Sequence, residues 1–65
     1  MITVEGRLVP WHPQITLAEV LESLDLAGLV VVVRLNGRLV SKPDFASTPV
    51  PDGAHIDPLP LIAGG

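Results

Sequence analysis

A chain of 65 residues holds enough apolar material for one small core and none for a second domain, and because it contains no cysteine, that core forms without disulfides, a thiol nucleophile or cysteine-ligated zinc. The apolar share of 48% argues against disorder, and the longest apolar run, Leu29 to Val33, stops at Arg34, far short of the roughly 20 residues of a membrane span. Four basic residues, Arg7, Arg34, Arg38 and Lys42, lie scattered against seven acids for a net charge of −3, which disfavours nucleic acid and anionic membranes as partners.

Met1 leads directly into Ile2-Thr3-Val4-Glu5, with no basic start and no apolar leader, so a cytoplasmic location is expected. Ile2-Thr3-Val4, a turn at Glu5-Gly6 and extended Arg7-Leu8-Val9 predict an N-terminal hairpin. Pro10, His12 and Pro13 then interrupt regular structure. Thr16-Leu17-Ala18-Glu19 is a capping box, in which the threonine hydroxyl accepts from the Glu19 N–H and Glu19 is able to reach back. A helix therefore begins at Leu17. Its apolar stripe is Leu17, Val20, Leu21 and Leu24, its solvated side carries Glu19, Glu22 and Asp25, and Gly28 is the expected stop.

Val30 to Leu35 is a β-branched run closed by Asn36-Gly37, the dipeptide of a type I′ hairpin, with Arg38-Leu39-Val40 as the returning strand. Ser41 to Thr48 reads as a polar crossover with one helical turn near Asp44-Phe45-Ala46, and Pro51-Asp52-Gly53 as a turn. The last strand runs from Ala54 to Ile62, before Ala63-Gly64-Gly65. Each element has one apolar surface to bury, so the economical packing is α+β: one helix across a mixed sheet of about five strands.

This order of elements resembles the β-grasp fold of ubiquitin, and more closely the ThiS-like sulfur carriers of thiamine biosynthesis within the ThiS/MoaD superfamily. The likeness is carried by Ile2-Thr3-Val4-Glu5-Gly6, Thr16-Leu17-Ala18-Glu19-Val20-Leu21, Leu35-Asn36-Gly37 with Val40, Asp52-Gly53 and Ile62-Ala63-Gly64-Gly65. It implies a ubiquitin-like body over residues 1–62 and a flexible tail over 63–65, in a protein that is monomeric when free. It further implies that the Gly65 carboxylate is adenylated by a ThiF/MoeB-like enzyme, which uses the ATP; the carrier itself holds no cofactor. A cysteine desulfurase or rhodanese supplies sulfur, and the resulting thiocarboxylate donates it to a ThiG-like thiazole synthase. The chain is on this reading a co-substrate, not an enzyme. Gly64 and Gly65 suit both steps, since without Cβ they thread a narrow channel and leave the terminal carbon open to attack. A MoaD-like small subunit of molybdopterin synthase is the sister reading. A ubiquitin-like module that acts by binding alone, or as a modifier of lysines, is the alternative of another class.

The chain departs from the family pattern in its last strand. That strand is usually an unbroken apolar run at the centre of the sheet, and here Pro58 and Pro60 remove donors that face the same neighbour. Ladder bonding on that side is expected to end beyond Asp57, the segment leaving the sheet early as stiff extended chain. Alternation from Arg34 on the solvent face turns Val31, Val33 and Leu35 toward the helix and leaves Val30 and Val32 outside. With Ile56 inward, Asp57, Leu59 and Leu61 point out. Val30, Val32, Arg34, Leu59, Leu61 and Ala63 are thus the candidate partner-binding residues, forming an apolar patch beside the tail. The plainer alternative is a short twisted sheet that tolerates exposed valines. His12 and His55 titrate near neutrality but lack any accompanying ligand cluster, so no metal site is expected.

Overall fold

Two tight turns organise the sheet. In the computed structural model, which describes residues 1–60, both central residues of each turn have positive φ: Glu5 at 49° with Gly6 at 81°, and Asn36 at 49° with Gly37 at 86°. That is the type I′ pattern, whose twist matches that of the strands it joins. One turn connects β1 (Ile2–Val4) to β2 (Arg7–Val9), the other β3 (Val30–Leu35) to β4 (Arg38–Ser41). The last strand, β5 (His55–Pro60), inserts between the hairpins, parallel to β1 and antiparallel to β3, so the five strands stand in the order β2-β1-β5-β3-β4.

Helix α1 (Leu17–Ser23) and a 3-10 helix over Lys42–Ser47 cover one face. Leu17, Val20 and Leu21, each 0% exposed, meet Phe45 and the inward residues Ile2, Val4, Val33 and Ile56 in a single apolar cluster. Trp11 packs against its margin and donates its indole N–H to the Val50 carbonyl at 2.7 Å, which pairs the polar end of a half-buried ring.

The start of α1 is as the capping residues predict on one side only. The Thr16 hydroxyl accepts from the Glu19 N–H at 3.3 Å, but the Glu19 carboxylate turns outward to His12 Nε2 at 2.5 Å. His12 Nδ1 in turn donates to the Pro13 carbonyl at 2.7 Å. Both ring nitrogens thus face acceptors, which the doubly protonated imidazolium alone satisfies. The Glu19 bond first, and the Pro13 carbonyl second, hold the His12 pKa above its ordinary 6.5. A raised folded pKa contributes stability that is complete below the unfolded value and lost as pH rises through the folded one. The expected result is an NMR titration midpoint for the His12 ring above that of a short peptide, falling toward the peptide value in Glu19→Gln, where only the Pro13 carbonyl still raises it.

The helix also ends earlier than Gly28. Asp25 takes φ 59°, its N–H donates to the Glu22 carbonyl at 3.1 Å, and the Leu26 N–H donates to the Leu21 carbonyl at 2.8 Å. These two bonds are a Schellman motif with aspartate in the position usually held by glycine. Leu24 therefore caps the helix and is only half-buried. Replacing Asp25 by Gly removes a left-handed cost of about 1–2 kcal/mol and returns about 0.4–1 kcal/mol through the freer unfolded chain. Asp25→Gly is expected to raise the urea midpoint at unchanged slope, a gain of about 0.5 kcal/mol.

Register explains how a central strand carries two prolines. Asn36 donates its N–H to the His55 carbonyl at 2.9 Å and accepts the His55 N–H on Oδ1, also at 2.9 Å. Antiparallel ladders alternate bonded and non-bonded pairs, so from this bond Arg34/Asp57 and Val32/Leu59 are bonded pairs, and Val33/Pro58 a non-bonded one. The Pro58 nitrogen consequently faces β1. There, however, the parallel pairing has already finished at Val4/Ile56, so the missing N–H has no partner to lose. Bonding on the β1 side does end before Pro58, as the prolines suggest. The strand does not leave the sheet early: it stays paired to β3 through Val30/Pro60.

A second correction concerns the valines. Between Val32/Leu59 and Val30/Pro60 the register shifts by one residue, leaving Val31 as the extra residue of a β-bulge. The bulge reverses the alternation, so Val30 is buried at 5% exposure and Val31 is out at 41%. Val30 belongs to the core and offers a partner no surface.

Candidate functional site

Among the described residues no element covers the sheet face opposite α1, and the occupants of that face follow from the registers. One row across it reads Leu39, Arg34, Asp57 and the next Ser41, Val32, Leu59. Val32 and Leu59 are directly paired and half-exposed, while Leu39 stands out at 61% exposure. Arg34 is exposed and stands in register between Leu39 on one side and the acid Asp57 on the other. Asp57 lies 3.1 Å from His55 Nε2, two residues back on the same side of β5. The surface thus combines apolar Val32, Leu39 and Leu59 with the neighbouring charges of Arg34 and Asp57, a composition suited to docking a protein more than to chemistry.

Of the expected partner-binding residues, the structure brings Val32, Arg34 and Leu59 together and withdraws Val30. Leu61 and Ala63, with Ile62 and the Gly64-Gly65 pair, lie outside the described residues. Leu39 and Val31 join the patch without having been singled out. Leu39 was within reach of the same alternation that placed Arg34, since the two face each other across β3 and β4. Val31 was not, because only the bulge turns it outward.

Direction matters as much as composition. β5 runs from His55 toward Pro60, so its last residue lies at the end of the sheet marked by Val30, Val32 and Ser41, next to the patch. Two surface grooves, one lined by Leu8, Pro10, His12, Ile15 and Glu19 and the other by Leu35, Asn36, Arg38, Pro49 and Pro51, include no β5 residue. Among the described residues no group of three His, Asp or Glu side chains is arranged to hold a metal, and no helix is long and apolar enough to cross a membrane. What the described residues present is an open face with the end of β5 beside it.

A mixed sheet with β5 central and, among the described residues, one α-helix across one face and no element on the other is a ubiquitin-like β-grasp domain. Within that class the chain belongs to the ThiS family, which it matches over residues 2–65. Among solved structures it is similar to the NMR solution structure of a thiamine biosynthesis protein from Geobacter metallireducens. The two share 31% sequence identity with a TM-score of 0.69, over 98% of this chain and 86% of the other. A comparison with curated proteins gives no match.

Proposed function

We propose that this chain is a sulfur carrier whose Gly65 carboxylate is adenylated, converted to a thiocarboxylate, and used as the sulfur source for a thiazole ring in thiamine biosynthesis. The observation that supports it most is the reach of the family match, which runs through residue 65 and so takes in Gly64-Gly65. The similar thiamine biosynthesis protein favours this pathway over the molybdopterin one.

The chemistry asks little of the carrier beyond presentation. A carboxylate is a poor electrophile at neutral pH; an acyl adenylate is not, because AMP is a competent leaving group. An ATP-dependent adenylating enzyme supplies that activation; sulfide displaces AMP to give the thiocarboxylate directly, whereas the terminal sulfur of a persulfide donor displaces AMP to give an acyl disulfide, which a donor-side thiol then reduces, releasing the thiocarboxylate and leaving a disulfide. The patch of Val32, Leu39 and Leu59 around Arg34 is the surface on which the activating enzyme and the thiazole synthase dock, with Arg34 setting the register against a partner carboxylate. Glycine at the last two positions keeps the terminal carbon accessible on both enzymes.

Incubation with a cognate adenylating enzyme, ATP and a sulfur donor is expected to exchange one oxygen of the chain for sulfur, read as the intact mass. Release of pyrophosphate without any gain of sulfur, across several donors, would falsify the carrier reading.

A further inference from the structure

The strand at one edge of the sheet, β4, leaves part of its backbone unpaired. Leu35 and Arg38 flank the two-residue Asn36-Gly37 turn and form a bonded pair, so Val33/Val40 is the next bonded pair and Arg34/Leu39 and Val32/Ser41 are non-bonded ones. The ladder on the other side of β3 agrees, because Arg34 and Val32 direct their N–H and C=O groups to Asp57 and Leu59 of β5. Leu39 and Ser41 therefore turn theirs outward, away from β3. Among the described residues no backbone bond from another element reaches Leu39, and the Ser41 N–H donates to none. Both residues are exposed.

The opposite edge is built differently. On β2 the Val4/Arg7 pair closes the turn, so only Leu8 faces outward before Pro10, which follows the strand and has no N–H. That edge is blunted, whereas β4 presents two successive outward donors. Charge separates the two edges as well. Three of the four basic residues, Arg34, Arg38 and Lys42, lie on β3, on β4 and directly after it, in a chain of net charge −3. All three are exposed, and none is in an ion pair among the described residues, where the cations paired are the Met1 amine and the two histidines. Of the acids, Asp57 is level with Arg34 and Asp44 lies in the 3-10 helix. Glu5, Glu19, Glu22, Asp25 and Asp52 belong to the first turn, to α1 and its end, and to the turn before β5.

We propose that the β4 edge docks an extended acidic segment of another protein as a further strand of the sheet, antiparallel to β4. The Leu39 N–H donates to one residue of that segment and the Leu39 carbonyl accepts from the same residue, whose side chain comes to lie beside Leu39 on the open face and is apolar. The neighbouring residue of the segment stands opposite Arg38 and is the acidic one. Main-chain bonds hold the segment, and the alternation of its side chains selects it. A second copy of this chain is the poorer occupant. Arg38 opens β4 and Lys42 follows it, so antiparallel pairing of two copies sets basic residue against basic. The edge uses backbone groups and charges of the folded body alone, and is independent of what happens at Gly65.

The test is an NMR titration of the full chain with a terminally blocked six-residue peptide of alternating glutamate and valine, at millimolar peptide, with the same peptide carrying lysine for glutamate as control. The acidic peptide is expected to shift the Leu39 and Ser41 amides and to slow their hydrogen exchange, which reports a newly bonded N–H, while the Leu8 amide stays unchanged. Added salt is expected to weaken the binding, since the charges involved are exposed. Arg38→Glu replaces attraction by repulsion and is expected to weaken it roughly tenfold. Leu39→Pro removes one outward donor that β3 does not use and is expected to abolish protection at Ser41. If Leu39→Pro does not fold, the titration and Arg38→Glu decide alone. No protection at Leu39 and Ser41, equal binding of the lysine peptide, or protection at Leu8 instead each overturns the proposal. Protection of the Leu39 and Ser41 amides that grows with protein concentration in the absence of peptide also overturns it, in favour of a second copy as the occupant.

Discussion

Deleting Gly65 is expected to leave the fold intact and to abolish sulfur loading. Among the described residues, the last pair of the sheet is Val30/Pro60 and the apolar cluster reaches no further along the chain than Ile56, both well before Gly65. Far-UV circular dichroism and the urea midpoint should therefore match those of the parent chain. Activity should not. Removing one residue draws the carboxylate back by about 3.3 Å, whereas a misplacement of roughly 1 Å already costs on the order of 10²-fold when a reacting group must meet a fixed site. Gly64→Val tests the second requirement separately, because it keeps the length and adds a branched side chain to the segment that must enter the partner's channel. Its loading rate is expected to fall by a similar factor, read as pyrophosphate release and as the sulfur-containing mass. A Gly65-deleted chain that still gains sulfur would show that the acceptor is another carboxylate, and would remove the basis of the proposed function.

How much of this was legible beforehand varies with the kind of signal. Asn36-Gly37 and Glu5-Gly6 announce their turns because few residues tolerate positive φ at two successive positions, and both turns have it. Thr16 announces the helix start because its hydroxyl has an orphan N–H to accept from, and it does. The helix stop was misplaced at Gly28 because aspartate in the left-handed region leaves no compositional mark, and Asp25 holds that place. Val30 to Val33 carry no alternation of their own, being four identical side chains in succession. Their facing had to be extrapolated from Arg34, and one inserted residue defeats such an extrapolation. The prolines were half legible. That Pro58 and Pro60 face one neighbour follows from strand period alone, but whether this harms the sheet depends on which neighbour, and that is set by the Asn36–His55 bond and by the shortness of β1. The patch was correspondingly right at Val32, Arg34 and Leu59, all on the side of the bulge where the count still holds.

The inward and outward assignments along β5 make a quantitative contrast between Ile56 and Leu59. Ile56 is 0% exposed in the central strand, level with Val4 on one side and Leu35 on the other, both core residues. Ile56→Ala deletes buried methyl and methylene groups and leaves a cavity that a short sheet, held from both sides, closes poorly; such changes cost about 2–5 kcal/mol. A domain of this length has on the order of 3–10 kcal/mol in total, so the single substitution removes a large part of its stability. At about 4–8 °C per kcal/mol for domains of this size, the melting temperature is expected to fall by roughly 10–30 °C, with partial unfolding at ambient temperature. Leu59, three residues on, lies half-exposed on the open face. Leu59→Ala is expected to cost under about 1 kcal/mol, in keeping with incomplete burial, yet to weaken docking to the adenylating enzyme, read as a higher KM for the carrier at unchanged kcat. The two variants thus separate what holds the sheet together from what it presents. Equal destabilisation by both would mean that Leu59 is packed inside and that the open face has been assigned to the wrong side of β5.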